Sequence, residues 1–172
     1  EAVGEGVTQW EKGQRVGVGW HGGHCNACDA CREGDFILCE NAGITGLTFD
    51  GGYAEYMVAP ANAVAAVPEG MEAAPAAPLL CAGITVFNAM RNADVRPGDL
   101  VAVQGIGGLG HLAIQYAASA GYEVAAISRS ADKETLAKEL GAHHFINAAE
   151  DDPAERLQAL GGARLILGTA PS

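Results

Sequence analysis

The strongest constraint on the fold is an apolar run that ends in a glycine-rich turn and continues into a helical pattern. Residues 100–104 read Leu-Val-Ala-Val-Gln, and four of the next six residues are glycine. Apolar residues then recur at helical spacing from His111 to Ala120, and a second apolar run extends from Tyr122 to Ile127. Two strands that flank a helix in this way pair in parallel. The sequence therefore predicts a strand–helix–strand unit.

The same alternation continues towards the end of the chain. Gly141 is expected to stop the next helix, because glycine commonly follows a helix C-terminus. The further predicted elements are a helix at 132–140, a strand at 144–146, a helix at 153–160 and a strand at 164–167. Strands that alternate with helices indicate a parallel α/β sheet.

The first half of the chain has a different pattern. It consists of short strand-like runs interrupted by glycine and proline, with little helical periodicity. The predicted strands are residues 15–19, 52–58 and 63–67. The alanine-rich stretch 59–77 is interpreted as a connecting segment. We predict two domains, a β-rich one at 1–81 and an α/β one at 82–172.

The turn after the first α/β strand fits the pattern G-x-G-x-x-G. Its first glycine allows a tight turn, the second allows close approach of a pyrophosphate, and the third allows a helix to pack closely on a strand. The pattern alone is weak, because glycine-rich turns occur in many α/β proteins, but here it lies between a strand and a helix. The residues predicted to bind a nicotinamide dinucleotide are Gly105, Ile106, Gly107, Gly108, Leu109 and Gly110.

The residues after the second α/β strand bear on which dinucleotide is bound. NAD-binding sites of this type place an Asp or Glu about 20 residues beyond the turn, where it binds the ribose hydroxyls. This chain has Ser128, Arg129 and Ser130 there. Arg129 offers a planar set of donors for a 2′-phosphate, and Lys133 could assist, so the pattern favours NADP(H) over NAD(H). The alternative is that Arg129 is an ordinary solvated arginine.

Four of the five cysteines lie within fifteen residues, at positions Cys25, Cys28, Cys31 and Cys39. Four thiolates around one ion, with no open position, are typical of structural zinc. Disulfides and an iron–sulfur cluster are the alternatives. However, the fourth cysteine follows after seven residues and no proline follows it, unlike the ferredoxin pattern. Cys81 stands alone, and its pattern by itself indicates a buried structural thiol.

Composition excludes some classes of partner. The formal net charge of −11 repels nucleic-acid phosphates and anionic lipid surfaces. No stretch approaches the ~20 consecutive apolar residues of a membrane helix, and the N-terminal residues lack the pattern of a signal peptide. Clustered cysteines suit metal ligation in a reducing compartment. We therefore expect a cytoplasmic protein that binds neither nucleic acid nor membrane.

Four motifs together carry a resemblance to a known family. They are the four-cysteine lobe, Asp50-Gly-Gly-Tyr-Ala-Glu55-Tyr56, Leu79-Leu-Cys81-Ala-Gly-Ile-Thr85, and the turn from Gly105 to His111. In their order and spacing the chain resembles the zinc-dependent alcohol dehydrogenases of the medium-chain dehydrogenase/reductase superfamily. The resemblance implies an α/β protein in which a partial GroES-like, β-rich catalytic domain, with a structural zinc lobe at 25–39, precedes the first half of a Rossmann dinucleotide-binding domain.

The resemblance also implies roles for single residues. Cys81 resembles a ligand of the catalytic zinc, and Thr85 resembles the residue beside the nicotinamide ring. Ser128, Arg129 and Lys133 resemble the 2′-phosphate readers of members that use NADPH. The implied reaction is hydride transfer between NADP(H) and a primary alcohol or aldehyde, with zinc as a Lewis acid. The full-length form is expected to be a homo-oligomer.

Some family motifs are not expected within these residues. The family's other early catalytic segments precede the point where this chain begins, and the last strands of the dinucleotide domain follow the point where it ends. One thiolate at Cys81 cannot hold a catalytic zinc, so we expect one zinc per chain and no activity from the 172 residues alone. The alternative function is a non-catalytic, zinc-stabilised dinucleotide-binding fragment. A zinc-free quinone reductase is disfavoured by the cysteine lobe.

Overall fold

The structure is a computed structural model that describes residues 1–170. It divides the chain into two compact units, Glu1–Cys81 and a second unit that begins at Ala82. The first unit is built mainly of turns and short elements. The second is an α/β sheet.

The first unit contains a single small sheet among its described residues. Its strands, β1 (Val16–Val18) and β2 (Val64–Ala66), are antiparallel, which confirms two of the predicted strands with shorter bounds. The helical segments are α1 (Asp29–Glu33), α2 (Ala73–Ala76) and 3-10 turns at Phe36–Leu38, Ala61–Ala63 and Ala77–Leu80. Such short elements leave much of the unit to loop packing.

Glycines allow that packing next to the cysteine lobe. The N–H of Gly22 donates to the carbonyl of Gly43 at 2.8 Å, and the N–H of Gly43 donates to the carbonyl of Gly23 at 3.0 Å. A Cβ on Gly22 would lie 2.7 Å from the ring of Phe49. The two loop segments can therefore approach each other only because these positions lack side chains.

The strand predicted at 52–58 is wrong. This segment contains no strand, and no backbone hydrogen bond joins it to another segment in the described part of the chain. Its side chains are largely exposed, with Tyr56 at 74% and Val58 at 88%. Alternating aromatic and apolar residues favour a strand only where a neighbouring strand satisfies the backbone. No such neighbour is present among residues 1–170.

The second unit contains a parallel sheet of four strands. These are β3 (Leu100–Gln104), β4 (Glu123–Ser128), β5 (His144–Asn147) and β6 (Leu165–Gly168), in the order β5-β4-β3-β6. The central strand β3 pairs on one side with β4 and on the other with β6. The predicted parallel α/β arrangement is confirmed, and all four carboxyl ends lie at one edge.

The helices of the second unit are short. They are α3 (Ala82–Arg91), α4 (Gly110–Ser119), α5 (Glu134–Glu139) and α6 (Pro153–Ala159). The helix predicted at 132–140 begins instead as a 3-10 turn at Ala131–Lys133.

Within the described residues no single helix has the length and apolar character to cross a membrane. Among residues 1–170, only Ala73–Leu80 and Ala82–Arg91 taken together reach that length and composition.

The core of the second unit lies between the sheet and its helices. Val101, Val103 and Val124 on the strands, and Ile114 on α4, are completely buried. Burial on both faces of the central strands explains why they are almost continuously apolar instead of alternating. The α3 helix was not predicted, because its buried residues, such as Val86 and Met90, are few and its other side chains are largely exposed.

Candidate metal centre and dinucleotide site

The sulfur atoms of the four clustered cysteines, Cys25, Cys28, Cys31 and Cys39, converge in the first unit. They all lie within 4.8 Å of one another, and the Sγ atoms of Cys25 and Cys31 are 4.0 Å apart. All four are free thiols, not disulfides. Zinc–sulfur bonds of about 2.3 Å in a tetrahedron require sulfurs about 3.8 Å apart. The cluster therefore fits one tetrahedral ion after a small inward movement.

Backbone N–H groups in this loop point at the sulfurs. Asn26 has a φ of 57°, in the left-handed region that asparagine tolerates better than most residues. The turn directs the N–H groups of Ala27 and Cys28 to Cys25 Sγ, each at 3.4 Å. The N–H of Cys25 donates to Cys39 Sγ, also at 3.4 Å. Such donors stabilise thiolates, which are the form that binds metal.

Two of the thiols have pKa values shifted in opposite directions. The N–H groups of Ala27 and Cys28 lower the pKa of Cys25 to about 6, so Cys25 is a thiolate at neutral pH. Burial raises the pKa of Cys31 to about 12, with help from the neighbouring thiols, so Cys31 retains its proton. A bound cation favours the charged form of every thiol. Metal binding at this cluster therefore releases protons, including that of Cys31.

Two histidines lie beside the lobe. His21 Nε2 and His24 Nδ1 are 3.0 Å apart, and the His24 ring stacks on Phe36 with centroids 4.1 Å apart. Burial lowers the pKa of His21, and nearby His24 adds to this effect. Neither histidine joins the group of metal-ligating side chains identified among the described residues. Their contacts are a hydrogen bond between the two rings and aromatic stacking.

The glycine turn connects β3 to α4. Gly105 has a φ of 95°, and its N–H donates to the carbonyl of Ile127 at 2.9 Å. A Cβ on Gly110 would overlap the carbonyl oxygen of Gly105, so the helix begins directly against the turn. By contrast, a Cβ on Gly107 or Gly108 would have no atom within 4 Å. Packing therefore requires glycine at position 110, while the space at 107 and 108 suits a ligand that approaches the backbone.

The start of α4 is also suited to an anion. Its N-cap residue, Leu109, has no side-chain capping hydrogen bond, so the N–H groups that precede His111 keep their capacity to donate. His111 directs both its N–H, at 3.0 Å, and its Nδ1, at 3.2 Å, to the carbonyl oxygen of Gly107. A helix N-terminus with free N–H groups and a positive dipole end binds phosphates. The turn therefore fits a pyrophosphate.

Thr169, which follows β6, holds the start of the glycine turn by hydrogen bonds. Its Oγ1 lies 3.0 Å from the carbonyl oxygen of Gln104 and 2.9 Å from that of Gly105. Its N–H also donates to the carbonyl of Gln104 at 2.9 Å. The carbonyl of Gly105 is thus held between Gly110 and Thr169, which sets the direction of the peptide groups that follow. Sequence reasoning missed this residue, because its contact depends on the pairing of β6 with β3.

A cavity of about 430 Å³ opens at the carboxyl edge of the sheet. Its lining residues are Gln104, Gly105, Ile127, Ser128, Arg129, Ser130, Ala148 and Ala170. Of the predicted dinucleotide-binding residues, Gly105, Ser128 and Arg129 line it, while Thr85, Lys133 and the rest of the turn do not. Gln104, Ile127, Ser130, Ala148 and Ala170 were not among the predicted binding residues. The signal for them was available, since each lies at or just beyond the carboxyl end of a strand, where α/β proteins bind ligands.

The chain matches families of known dehydrogenases along most of its length. Residues 1–69 match the alcohol dehydrogenase GroES-like domain, and residues 108–171 match the zinc-binding dehydrogenase family. The alcohol dehydrogenase patD of Penicillium expansum is 53% identical over 170 residues, or 99% of this chain. The chain belongs to the zinc-dependent alcohol dehydrogenases. The predicted family is confirmed, and so is the predicted combination of a partial GroES-like domain with a partial Rossmann domain.

Solved structures of dehydrogenases show the same fold. CAD from Helicobacter pylori, complexed with NADP(H), has a TM-score of 0.84 at 31% identity over 99% of this chain and 50% of its own. Acetophenone reductase from Geotrichum candidum, in complex with NAD, has a TM-score of 0.74 at 32% identity over 86% of this chain and 44% of its own. The chain also spans about half the length of the curated relatives, including 50% of patD.

Two residues with roles implied by the dehydrogenase family lie close to the unit boundary. Cys81 follows the 3-10 turn Ala77–Leu80 and is exposed. The interpretation of Cys81 as a buried structural thiol is therefore wrong. Thr85 is exposed on the first turn of α3. Both side chains are accessible to a ligand.

We expect Cys39→Ser to remove zinc from the chain. Cys39 is buried, and a serine hydroxyl is a poor zinc ligand in place of a thiolate. Metal analysis of the purified chain should give about one zinc per chain, and Cys39→Ser should lower this to near zero with local unfolding of the lobe. Cys81→Ser is the control and should retain the zinc. Full occupancy of the unsubstituted chain by iron would contradict the assignment.

Two glycine substitutions should separate packing from ligand binding. Gly110→Ala places a Cβ on the carbonyl oxygen of Gly105 and should lower the free energy of unfolding by about 1–3 kcal/mol. Gly107→Ala meets no neighbouring atom. It should change stability by less than about 1 kcal/mol but weaken dinucleotide binding about tenfold or more. Urea unfolding and dinucleotide titration measure the two effects. Equal loss of stability in both variants would contradict this account.

Proposed function

We propose that this chain is part of an NADP(H)-dependent alcohol dehydrogenase that transfers hydride between the dinucleotide and a primary alcohol or aldehyde. The observation that supports this most is the presence in one chain of two sites. One is a four-thiol cluster with sulfurs within 4.8 Å, and the other is a glycine turn beside a cavity of about 430 Å³. Its curated relatives are alcohol dehydrogenases, which supports the substrate class.

The rim of the cavity favours a 2′-phosphate. Arg129 lines the cavity and is exposed, and no carboxylate oxygen in the described residues lies within 4.0 Å of Arg129 or Lys133. No Asp or Glu lines the cavity. Unpaired cations beyond the carboxyl end of β4 attract a phosphate dianion, and the guanidinium group of Arg129 can bind it in a bidentate manner. Solved relatives bind either dinucleotide, NADP(H) in the Helicobacter pylori protein and NAD in the Geotrichum candidum protein, so the support for NADP(H) comes from the residues at the rim of the cavity.

Zinc has two proposed places. The four clustered cysteines would hold a structural ion that stabilises the lobe. Cys81 would be a ligand of a catalytic zinc, with further ligands supplied by the longer protein, and Thr85 would contact the nicotinamide. A zinc ion at Cys81 would supply Lewis acidity towards an alcohol or aldehyde oxygen. The residues of the second unit would hold the dinucleotide in position for hydride transfer.

Titration with NADPH and NADH tests the cofactor choice. We expect NADPH to bind at least about tenfold more tightly. Arg129→Ala should remove most of this preference, because the phosphate loses its bidentate partner. Arg96→Ala is a matched control, since this exposed arginine precedes the amino end of β3. Tighter binding of NADH by the unsubstituted chain would contradict the proposal.

Turnover tests the assignment of the catalytic ligand. NADPH oxidation with a panel of aldehydes should be absent with the 172 residues alone, because Cys81 by itself cannot hold a catalytic zinc. A longer version extended at both ends should show turnover, and Cys81→Ser in that version should abolish it while NADPH still binds. Turnover by the short chain would refute the ligand assignment.

A further inference from the structure

An acidic residue contacts the rim of the dinucleotide cavity without lining it. Ser130 lines the cavity, and its Oγ donates a hydrogen bond to Oδ1 of Asp132. Asp132 lies in sequence between the two cations Arg129 and Lys133, yet its carboxylate forms an ion pair with neither of them among the described contacts. The carboxylate is instead directed to the serine hydroxyl.

This contact decides which hydrogen bonds Ser130 can offer to a ligand. A serine hydroxyl has one proton to donate and two lone pairs that accept. With its proton directed to Asp132, Ser130 presents only acceptor capacity to the cavity. Ser128 is different, because its Oγ accepts the N–H of Ser130 at 3.2 Å and its own proton stays available.

The two dinucleotides make opposite demands on such an acceptor. A ribose 2′-hydroxyl carries a proton and can donate it to Ser130. A 2′-phosphate is a dianion near neutral pH and only accepts hydrogen bonds. To bind the phosphate, Ser130 must turn its proton away from Asp132. The carboxylate of Asp132 also repels the phosphate, to an extent that salt screens because the residue is exposed.

We infer that Asp132 is a specificity-determining residue that limits the preference of this site for NADP(H) over NAD(H). The inference rests on the proposed function, because it concerns the same dinucleotide cavity. The cations Arg129 and Lys133 favour binding of the 2′-phosphate. Asp132 disfavours it in two ways, by the repulsion of its negative charge and by accepting the proton of Ser130. The selectivity of the site is the difference between these two effects.

Asp132→Asn tests the inference, because it removes the charge with little change in shape. Dissociation constants for NADPH and NADH would be measured with the whole 172-residue chain at low ionic strength, by the fluorescence of the reduced nicotinamide. The ratio of the NADH constant to the NADPH constant should rise about tenfold, mainly through tighter NADPH binding. Asp99→Asn is the control. It makes the same charge change at the amino end of β3, where Asp99 accepts the N–H of Arg96 at 2.8 Å, and should leave the ratio unchanged.

Ser130→Ala separates the two effects of Asp132. It should weaken NADH binding about threefold, because the acceptor for the ribose hydroxyl is lost. When Asp132→Asn is combined with Ser130→Ala, its remaining effect on the ratio of the NADH and NADPH dissociation constants should be purely electrostatic. That effect should disappear in about 0.5 M salt. With Ser130 present, part of the change in the ratio should persist in salt, because an amide oxygen holds the Ser130 proton less strongly than a carboxylate does.

A ratio in Asp132→Asn within about twofold of the unsubstituted chain overturns the inference, provided circular dichroism shows that the variant is folded. If Asp132→Asn does not fold, unchanged NADH binding in Ser130→Ala overturns it instead. Failure of the unsubstituted chain to bind either dinucleotide overturns the proposed function, and this inference with it. NADPH preference that is abolished by Arg129→Ala but unaffected by Asp132→Asn overturns only the role of Asp132.

Discussion

The parallel pairing of β3 with β4 and β6 is the constraint on which the second unit depends. Val101 pairs with Val124 on one side and with Leu165 on the other, and the central residues of β3 are completely buried. Since the strands run in the same direction, the glycine turn, the serine and arginine after β4 and the threonine after β6 all meet at one edge. The chemistry at that edge thus depends on apolar contacts inside the sheet, which fix where each strand ends.

Local patterns predicted the four strands of this unit and every helix except α3, because strands buried on both faces and helices with an apolar stripe are recognisable over a few residues. They predicted less about the site. Ser128 ends β4 and Arg129 follows it, and β4 pairs directly with β3, so their place could be inferred from the glycine turn. Ala148 and Ala170 depend on the order of the strands in the sheet, which no local pattern specifies. The contact between Ser130 and Asp132 could not be predicted either, because it depends on the 3-10 turn that replaces the expected start of the helix.

The first unit shows a different limit on prediction. Cysteine spacing was sufficient to identify the four residues that converge, since a short loop can bring thiols so spaced around one point. It could not predict that Cys25 and Cys31 differ in acidity, because this depends on which backbone N–H groups point at a sulfur and on how deeply it is buried. The prediction of a strand at 52–58 was wrong for a related reason. Its alternating pattern describes what a strand would bury, but a strand also needs a partner for its backbone.

The hydrogen bonds of Thr169 bear on how the dinucleotide fold can be divided. The first strand–helix–strand unit, from β3 to β4, contains every glycine of the turn and is often regarded as a self-contained nucleotide-binding module. In this chain the carbonyl groups at the start of the turn are held by a residue 64 positions further along, after two more strands. A shorter piece that ends after β4 would keep the motif in its sequence but lose the contact that orients it. The smallest piece of this chain that preserves the shape of the phosphate-binding turn therefore extends at least to Thr169.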